Sequence, residues 1–132
     1  MTSHPTDIID DYLIATAWTQ PSQPGDMACD SDDALTWLAP HLGPTSTLVL
    51  HRLTRYLTTS DTFSIEYIEL ARTFGVAPSQ LKRNIERLCQ FGHARRNGDT
   101  LEVATTFRLT PRTAQKLPEY LRADWFHQHP TS

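Results

Sequence analysis

The chain has 132 residues, of which 39% are hydrophobic, and this size suits one domain with extensions, since domains typically hold ~100–150 residues. No apolar run approaches the ~20 residues that cross a bilayer, and the N-terminus has no basic segment followed by an apolar one. The two cysteines, Cys29 and Cys89, do not make a secreted disulfide framework. We therefore expect a cytoplasmic protein with no membrane segment.

Charge is divided unevenly along the chain, although the formal net charge is only −3. Residues 1–43 contain seven Asp and no Lys or Arg, whereas residues 44–110 contain nine basic and six acidic residues. Within residues 79–96, five basic residues stand against the single Glu86. A locally basic segment of this kind favours a polyanionic partner. Arg also outnumbers Lys ten to two, which favours a bacterial or phage source with GC-rich genes.

The first predicted element is a short amphipathic helix over residues 6–18, because apolar side chains recur there at helical spacing. A spacer rich in Pro, Gly and Asp follows it. Residues 1–30 are therefore expected to form an acidic N-terminal arm, and residues 31–132 the folded domain. The arm is expected to fold back over the basic segment 79–96, to pack elsewhere on the domain or to dock on another protein.

Two helices and a short strand are predicted next, over about residues 31–41, 45–57 and 62–64. Gly43 and Pro44 separate the two helices, since glycine commonly ends a helix and proline commonly begins one.

The segment 66–88 predicts two helices joined by a tight turn. The first helix ends at Gly75, which supplies the positive φ of a helix terminus, and Pro78 opens the second. Asn84, midway along the second helix, either packs at the helix junction or faces outward, and packing is the favoured interpretation. The outward face would be polar and mostly basic, as entry into a DNA major groove requires. Its residues are Ser79, Gln80, Lys82, Arg83, Glu86 and Arg87.

A β-hairpin is predicted directly after these helices. Asn97-Gly98 lies between two short extended runs, and Asn-Gly favours a type I′ turn with positive φ at both central residues. The first run carries Arg95 and Arg96. The hairpin would therefore place two guanidinium groups beside the second helix.

These helices and the hairpin, within about residues 45–108, resemble the winged helix-turn-helix domains of bacterial transcription regulators, loosely those of the MarR type. The resemblance covers roughly half the chain. It implies an α+β, mainly α fold, in which a winged helix-turn-helix core carries additional N- and C-terminal helices. It also implies that the strand at residues 62–64 pairs with the hairpin, and that the protein contacts double-stranded DNA. Ser79, Gln80, Lys82 and Arg83 would reach base edges or phosphates, Arg87 the backbone, and Arg95 and Arg96 the phosphates or the minor groove.

The tail from residue 111 to residue 126 carries Leu117, Leu121 and Trp125 four residues apart, which predicts a helix. Pro118 lies within that pattern, so the helix should begin or bend there. In MarR-type proteins, helices outside the winged core form a homodimer. The segments 31–42 and 112–126 occupy the corresponding places, so a homodimer through these flanking helices is expected.

Catalysis and metal binding have little support in the sequence. The glycines form neither a phosphate loop nor a dinucleotide fingerprint, and no nucleophile motif is present, so we expect no enzyme and no cofactor. Asp30, Asp32 and Asp33 lack the further ligands of a calcium loop. His127 and His129 have no neighbouring cysteines to complete a metal site.

Two functions thus follow from the sequence. The favoured one is a DNA-binding transcriptional regulator that inserts its second helix in the major groove and places an Arg-bearing wing on the backbone. The alternative is a winged-helix protein–protein interaction module, an adaptor or anti-regulator, that does not bind DNA.

Overall fold

Residues 11–129 are described by the computed structural model, and they form a mixed α/β fold. The helices of this range are α1 (Asp32–Trp37), α2 (Ala39–Leu42), α3 (Pro44–Thr59), α4 (Tyr67–Phe74), α5 (Pro78–Gln90), α6 (Pro111–Ala114) and α7 (Glu119–Gln128). The strands are β1 (Tyr12–Ala17), β2 (Met27–Ala28), β3 (Thr62–Glu66), β4 (Ala94–Asn97), β5 (Thr100–Val103) and β6 (Thr106–Phe107). The expected combination of helices and strands is thereby confirmed.

Helices α4 and α5 meet at the turn that the sequence predicts. Gly75 ends α4 in the left-handed region, with φ 69° and ψ 32°. The amide of Val76 donates to the carbonyl oxygen of Ala71 at 3.0 Å, which closes the helix end. Pro78 then occupies the first turn of α5, where its missing N–H has no intrahelical acceptor to lose.

The helix predicted over residues 31–41 is interrupted. Ser31 caps α1, since its Oγ accepts a hydrogen bond from the amide of Ala34 at 3.3 Å. The helix is interrupted at Leu38, and α2 follows with Pro40 in its first turn. A continuous helix would need an amide hydrogen at Pro40 to reach Thr36, and proline has none.

The four-stranded sheet has the order β3-β1-β5-β4. Strand β1 runs antiparallel to β3 and parallel to β5, and β5 is antiparallel to β4. Leu13 and Ala15 of β1 point into the core, as do Leu101 and Val103 of β5. Alternating burial of this kind is typical of a sheet with one covered face. A separate two-stranded ribbon joins β2 to β6.

The amphipathic helix predicted over residues 6–18 is wrong for residues 12–17, which form β1. Residues 6–10 lie outside the described range. Strand β1 has a hydrogen-bonded neighbour on each side, β3 and β5, and both come from distant parts of the sequence. Tertiary pairing of this kind overrides a local helical pattern. The proposed boundary after residue 30 is wrong for β1 too, because that strand belongs to the domain's sheet.

The strand predicted near residue 63 exists, but it does not pair with the hairpin as expected. Strand β3 pairs with β1, in a register that places Phe63 opposite Ala15, and β1 separates it from the hairpin strand β5. The hairpin turn also differs from the type I′ prediction. Asn97 pairs with Thr100, so Gly98 and Asp99 form the loop. Gly98 has φ 64° and Asp99 has negative φ, as in a type II′ turn.

The C-terminal tail follows its prediction. Helix α7 begins immediately after Pro118. Its Trp125 packs edge-on against Trp37 of α1, with ring centroids 5.2 Å apart, and the two indoles are each 4% exposed. The flanking helices are therefore joined to each other within one chain. No helix within residues 11–129 combines the length and the apolar character needed to cross a membrane.

Candidate nucleic-acid interface

Helix α5 has one fully buried side and one solvent-facing side. Leu81, Ile85 and Leu88 have no exposed surface and anchor α5 in the core. Their spacing of four and three residues follows the helical repeat, so the polar residues on the opposite side of α5 face outward. Of those polar residues Ser79, Lys82, Arg83, Glu86 and Arg87 are exposed, and Gln80 is half-buried. The outward face expected from the sequence is thus present on the helix.

The hairpin lies beside this face of α5. Arg96 of β4 reaches back to Glu86, with its Nε 3.5 Å from Oε1. Lys82 lies over the ring of Tyr67, with Nζ 4.9 Å from the centroid. Tyr67 is the first residue of α4, and its own ring is nearly buried. These contacts link α4 and the hairpin to the outward face of α5.

Arg95 points to the other side of the hairpin, where it belongs to a small network. Its Nη2 lies 2.9 Å from Oε2 of Glu102, and Asn97 donates to Oε1 of the same carboxylate at 2.7 Å. Hydrogen bonds from Asn97 and Arg95 lower the pKa of Glu102. The guanidinium of Arg95 also lies over the ring of Trp18, 4.4 Å from its centroid. Arg95 and Arg96 therefore sit on one strand but do not share one surface.

Arg87 differs from Lys82 and Arg83 because its guanidinium is hydrogen-bonded within the chain. Its Nε donates to the carbonyl oxygen of Leu42 at 2.8 Å, and its Nη2 donates to that of His41 at 3.0 Å. The guanidinium also lies 5.1 Å from the ring centroid of Phe91. Arg87 thus satisfies carbonyl groups at the C-terminal end of α2, where positive charge is favourable. The sequence-based DNA contact of Arg87 competes with this structural contact.

Arg83 has the opposite surroundings. It is exposed, and among residues 11–129 it forms no hydrogen bond and no ion pair. Lys82 likewise has only the ring of Tyr67 beneath it. Lys82 and Arg83, in the first half of α5, therefore have hydrogen-bond donors available for a ligand.

Asn84 packs inward, which confirms the favoured interpretation. Ser46 of α3 donates to the Oδ1 of Asn84 at 3.3 Å. The Nδ2 of Asn84 is buried and has no hydrogen-bond acceptor within the described part of the chain. Asn84 is therefore a junction residue between α3 and α5 and does not contribute to the outward face.

Three residues of the surface were missed by the sequence reasoning. Trp18 was assigned to the apolar side of a helix, Asn97 to the turn, and Tyr67 to no particular role. Trp18 and Tyr67 acquire their contacts through other elements of the fold, and Asn97 acquires its contact across the hairpin, so no local pattern marks them. Arg95 meets Trp18 only because β1 lies beside β5.

The described residues contain no group of three or more His, Cys, Asp or Glu side chains that would hold a metal ion. Asp32 and Asp33 lie in the first turn of α1, where negative charge favours the helix dipole. The ring of His129 stacks on Trp125 at a centroid distance of 3.7 Å. Both cysteines are free thiols.

Comparisons with protein-family models, with curated proteins and with solved structures each give no match for this chain. Its function is therefore inferred from the residues and the geometry described above.

Proposed function

We propose that this protein is a DNA-binding transcriptional regulator with a winged helix-turn-helix core. In this proposal α5 is the recognition helix and the β4–β5 hairpin is the wing. The observation that carries it is the outward face of α5, on which Ser79, Lys82 and Arg83 are exposed while the opposite side is fully buried. The neighbouring hairpin adds Arg96 to the same surface through Glu86.

The chemistry of this face suits duplex DNA. Recognition helices place residues of their N-terminal part against base edges, and Ser79, Gln80, Lys82 and Arg83 all lie in the first half of α5. A free guanidinium such as that of Arg83 can pair with the O6 and N7 of guanine through two hydrogen bonds. Lys82 is a donor for phosphate, and its position over Tyr67 holds it beside Arg83. Arg96 would contact phosphates or the minor groove from the hairpin. Arg95 lies on the other side of the hairpin and would have to leave Glu102 and Trp18 to make such a contact.

A salt titration tests the proposal. Fluorescence anisotropy would follow the binding of the full chain to a labelled random duplex as the salt concentration rises. Phosphate contacts make the logarithm of the binding constant fall with the logarithm of salt, by about 0.9 per phosphate neutralised. We expect a steep slope for the natural sequence. Absence of binding at low salt would contradict the proposal.

Arg83→Ala and Arg112→Ala form a matched pair for this experiment. Both residues are exposed, but Arg112 lies on α6 and is not part of the outward face of α5. Arg83→Ala should weaken binding, and Arg112→Ala should not. On genomic fragments selected by the natural protein, Arg83→Ala should lose ~1–3 kcal/mol of discrimination if it reads a base. If both variants weakened DNA binding equally, the effect would come from the overall charge of the protein and not from a defined site on α5.

A protein-interaction module without DNA binding is the second candidate. The observation that favours it is that three of the predicted DNA contacts already have partners in the chain. Arg87 bonds to α2, Arg95 to Glu102 and Arg96 to Glu86. Ile68, on the surface of α4, is also 44% exposed. The same titration separates the two functions, because a protein-binding module would show no affinity for the duplex.

A homodimer through the flanking helices remains part of the proposal. Trp37 and Trp125 are buried against each other. The large apolar side chains that stay exposed on these helices are Leu35 and Tyr120. Sedimentation equilibrium would measure the mass in solution. Tyr120→Glu should dissociate a dimer that uses α7, whereas a monomer for the natural chain would exclude it. A protein partner of the acidic N-terminal segment is likewise proposed.

A further inference from the structure

A cavity lies between the C-terminal end of α5 and the segment that follows β6. It has a volume of about 320 Å³. Four of its lining side chains carry or can acquire positive charge, namely His41, His93, Arg108 and Lys116. Thr110 and Thr113 add hydroxyl groups, and Leu38, Phe91 and Leu109 supply apolar wall. A second cavity of about 310 Å³ shares His93, Arg108 and Thr110 with the first and extends it.

No carboxylate lines the first cavity. Asp26 lines only the extension, and its Oδ1 is 3.8 Å from the Nε of Arg108, a long ion pair at a half-exposed site. Lys116 has no acidic partner within residues 11–129. Positive groups therefore converge on this space with little internal compensation.

His41 has an unsatisfied atom here. Its Nε2 is buried and has no hydrogen-bond partner in the described range, which is unusual because buried polar atoms are nearly always paired. Burial lowers the pKa of His41, and the charge of Lys116 lowers it further. Burial and the charge of His41 act in the same way on His93. A bound anion would supply the missing negative charge beside these groups.

We propose that this cavity binds the phosphate group of a small molecule, with His41, His93, Arg108 and Lys116 as its ligands. Two imidazoles, a guanidinium, an ammonium and two hydroxyls offer more donors than one carboxylate accepts. A phosphate monoester carries close to two negative charges near neutral pH and three strong acceptor oxygens. Arg also matches phosphate geometry through two parallel hydrogen bonds. The apolar wall would receive the organic part of the ligand.

Isothermal titration calorimetry of the full chain with inorganic phosphate, sulfate and acetate tests this assignment. Phosphate and sulfate should bind saturably, with one site per chain, and acetate should bind at least tenfold more weakly. Binding of acetate as tight as that of phosphate would overturn the phosphate assignment. Because no DNA is present, the outcome does not depend on the function of α5.

The effect of pH is measured with sulfate, whose charge does not change between pH 6 and pH 8. Sulfate should bind more tightly at pH 6, because the two imidazoles then accept protons in its field. The charged groups around them are Lys116 and Arg108 at the cavity, Asp26 in the extension, and Arg87, which bonds to the carbonyl of His41. An affinity that is unchanged between pH 6 and pH 8 would remove the histidines from the site.

Lys116→Ala and Arg108→Ala should each weaken sulfate binding about tenfold, since one charged hydrogen bond is lost in each variant. Arg112→Ala is the control, because Arg112 is exposed on α6 and does not line the cavity. Equal losses in all three variants would refute a defined site.

A measurement on the natural sequence keeps the proposal testable should a variant not fold. The NMR resonances of the imidazole rings of His41 and His93 should shift on addition of phosphate, while that of the exposed His127 should not. Unshifted resonances of His41 and His93 at saturating phosphate would overturn the proposal.

Discussion

Residue surroundings separate two arginines that the sequence treats alike. Arg83 and Arg87 are four residues apart on α5, so both project from the same side of the helix. Arg83 has no acceptor within the described range, whereas Arg87 donates two hydrogen bonds to carbonyl groups of α2. The first is available for a ligand and the second stabilises the fold. The difference comes from α2, which lies beside only one of them.

Arg87→Met should therefore lower the free energy of unfolding by about 1–2 kcal/mol, the scale of a partly exposed charged hydrogen bond. Methionine keeps the apolar stem and removes the donors, so the loss reports the hydrogen bonds. Arg83→Met is the matched variant and should change stability by less than about 0.5 kcal/mol, as exposed sites usually do. Equilibrium urea unfolding measures both. Equal effects of the two substitutions would show that the contact with α2 contributes nothing.

At the scale of the element, one carboxylate joins the two paired strands of the hairpin β4–β5 through side-chain hydrogen bonds. Glu102 of β5 accepts hydrogen bonds from Asn97 and Arg95 of β4, one on each oxygen. These cross-strand contacts stabilise the ionised form of Glu102 and lower its pKa. The stability of the hairpin should therefore depend on the ionisation of Glu102.

The direction in which pH changes the stability follows from the lowered pKa of Glu102. A carboxyl group with a lowered pKa in the folded state stabilises the fold fully above its usual pKa of 4.5, and this contribution is lost as the pH falls through the lowered value. Glu102→Gln should therefore be less stable than the natural sequence near neutral pH, and the difference should vanish in acid. Urea unfolding at a series of pH values measures it. A pH-independent deficit for Glu102→Gln would contradict the linkage.

At the scale of the whole molecule, β1 connects the two halves of the sheet. It pairs with β3 on one side and with β5 on the other, so the hairpin joins the rest of the sheet only through it. Its Leu13 is 2% exposed, and its Ala15 is fully buried. Removing β1 would expose two strand edges and open the core.

Deletion of residues 1–18 should therefore abolish cooperative unfolding, as measured by far-ultraviolet circular dichroism during a thermal or urea ramp. Leu13→Ala should lower the free energy of unfolding by about 2–5 kcal/mol, as large-to-small core substitutions do. Tyr12→Ala is its matched control, because Tyr12 is 43% exposed on the same strand and should have a much smaller effect. A truncated chain that unfolds as cooperatively as the full one would show that β1 is dispensable.

The features that the sequence alone determines are those that depend on neighbouring residues. The end of α4 at Gly75, the start of α5 at Pro78 and the start of α7 after Pro118 each follow from backbone constraints within one helical turn. The buried and exposed sides of α5 follow from the helical repeat in the same way. This is why the polar face that carries the proposed function could be predicted.

Tertiary structure alone decided the features that depend on residues distant in sequence. Residues 12–17 became a strand because β3 and β5 offer hydrogen-bonding edges on both sides, and those partners lie about 50 and 90 residues further along the chain. The cationic cavity likewise joins His41, His93, Arg108 and Lys116 from four separate segments. A helix satisfies its hydrogen bonds locally, whereas a strand or a binding site requires partners that only the folded chain brings together.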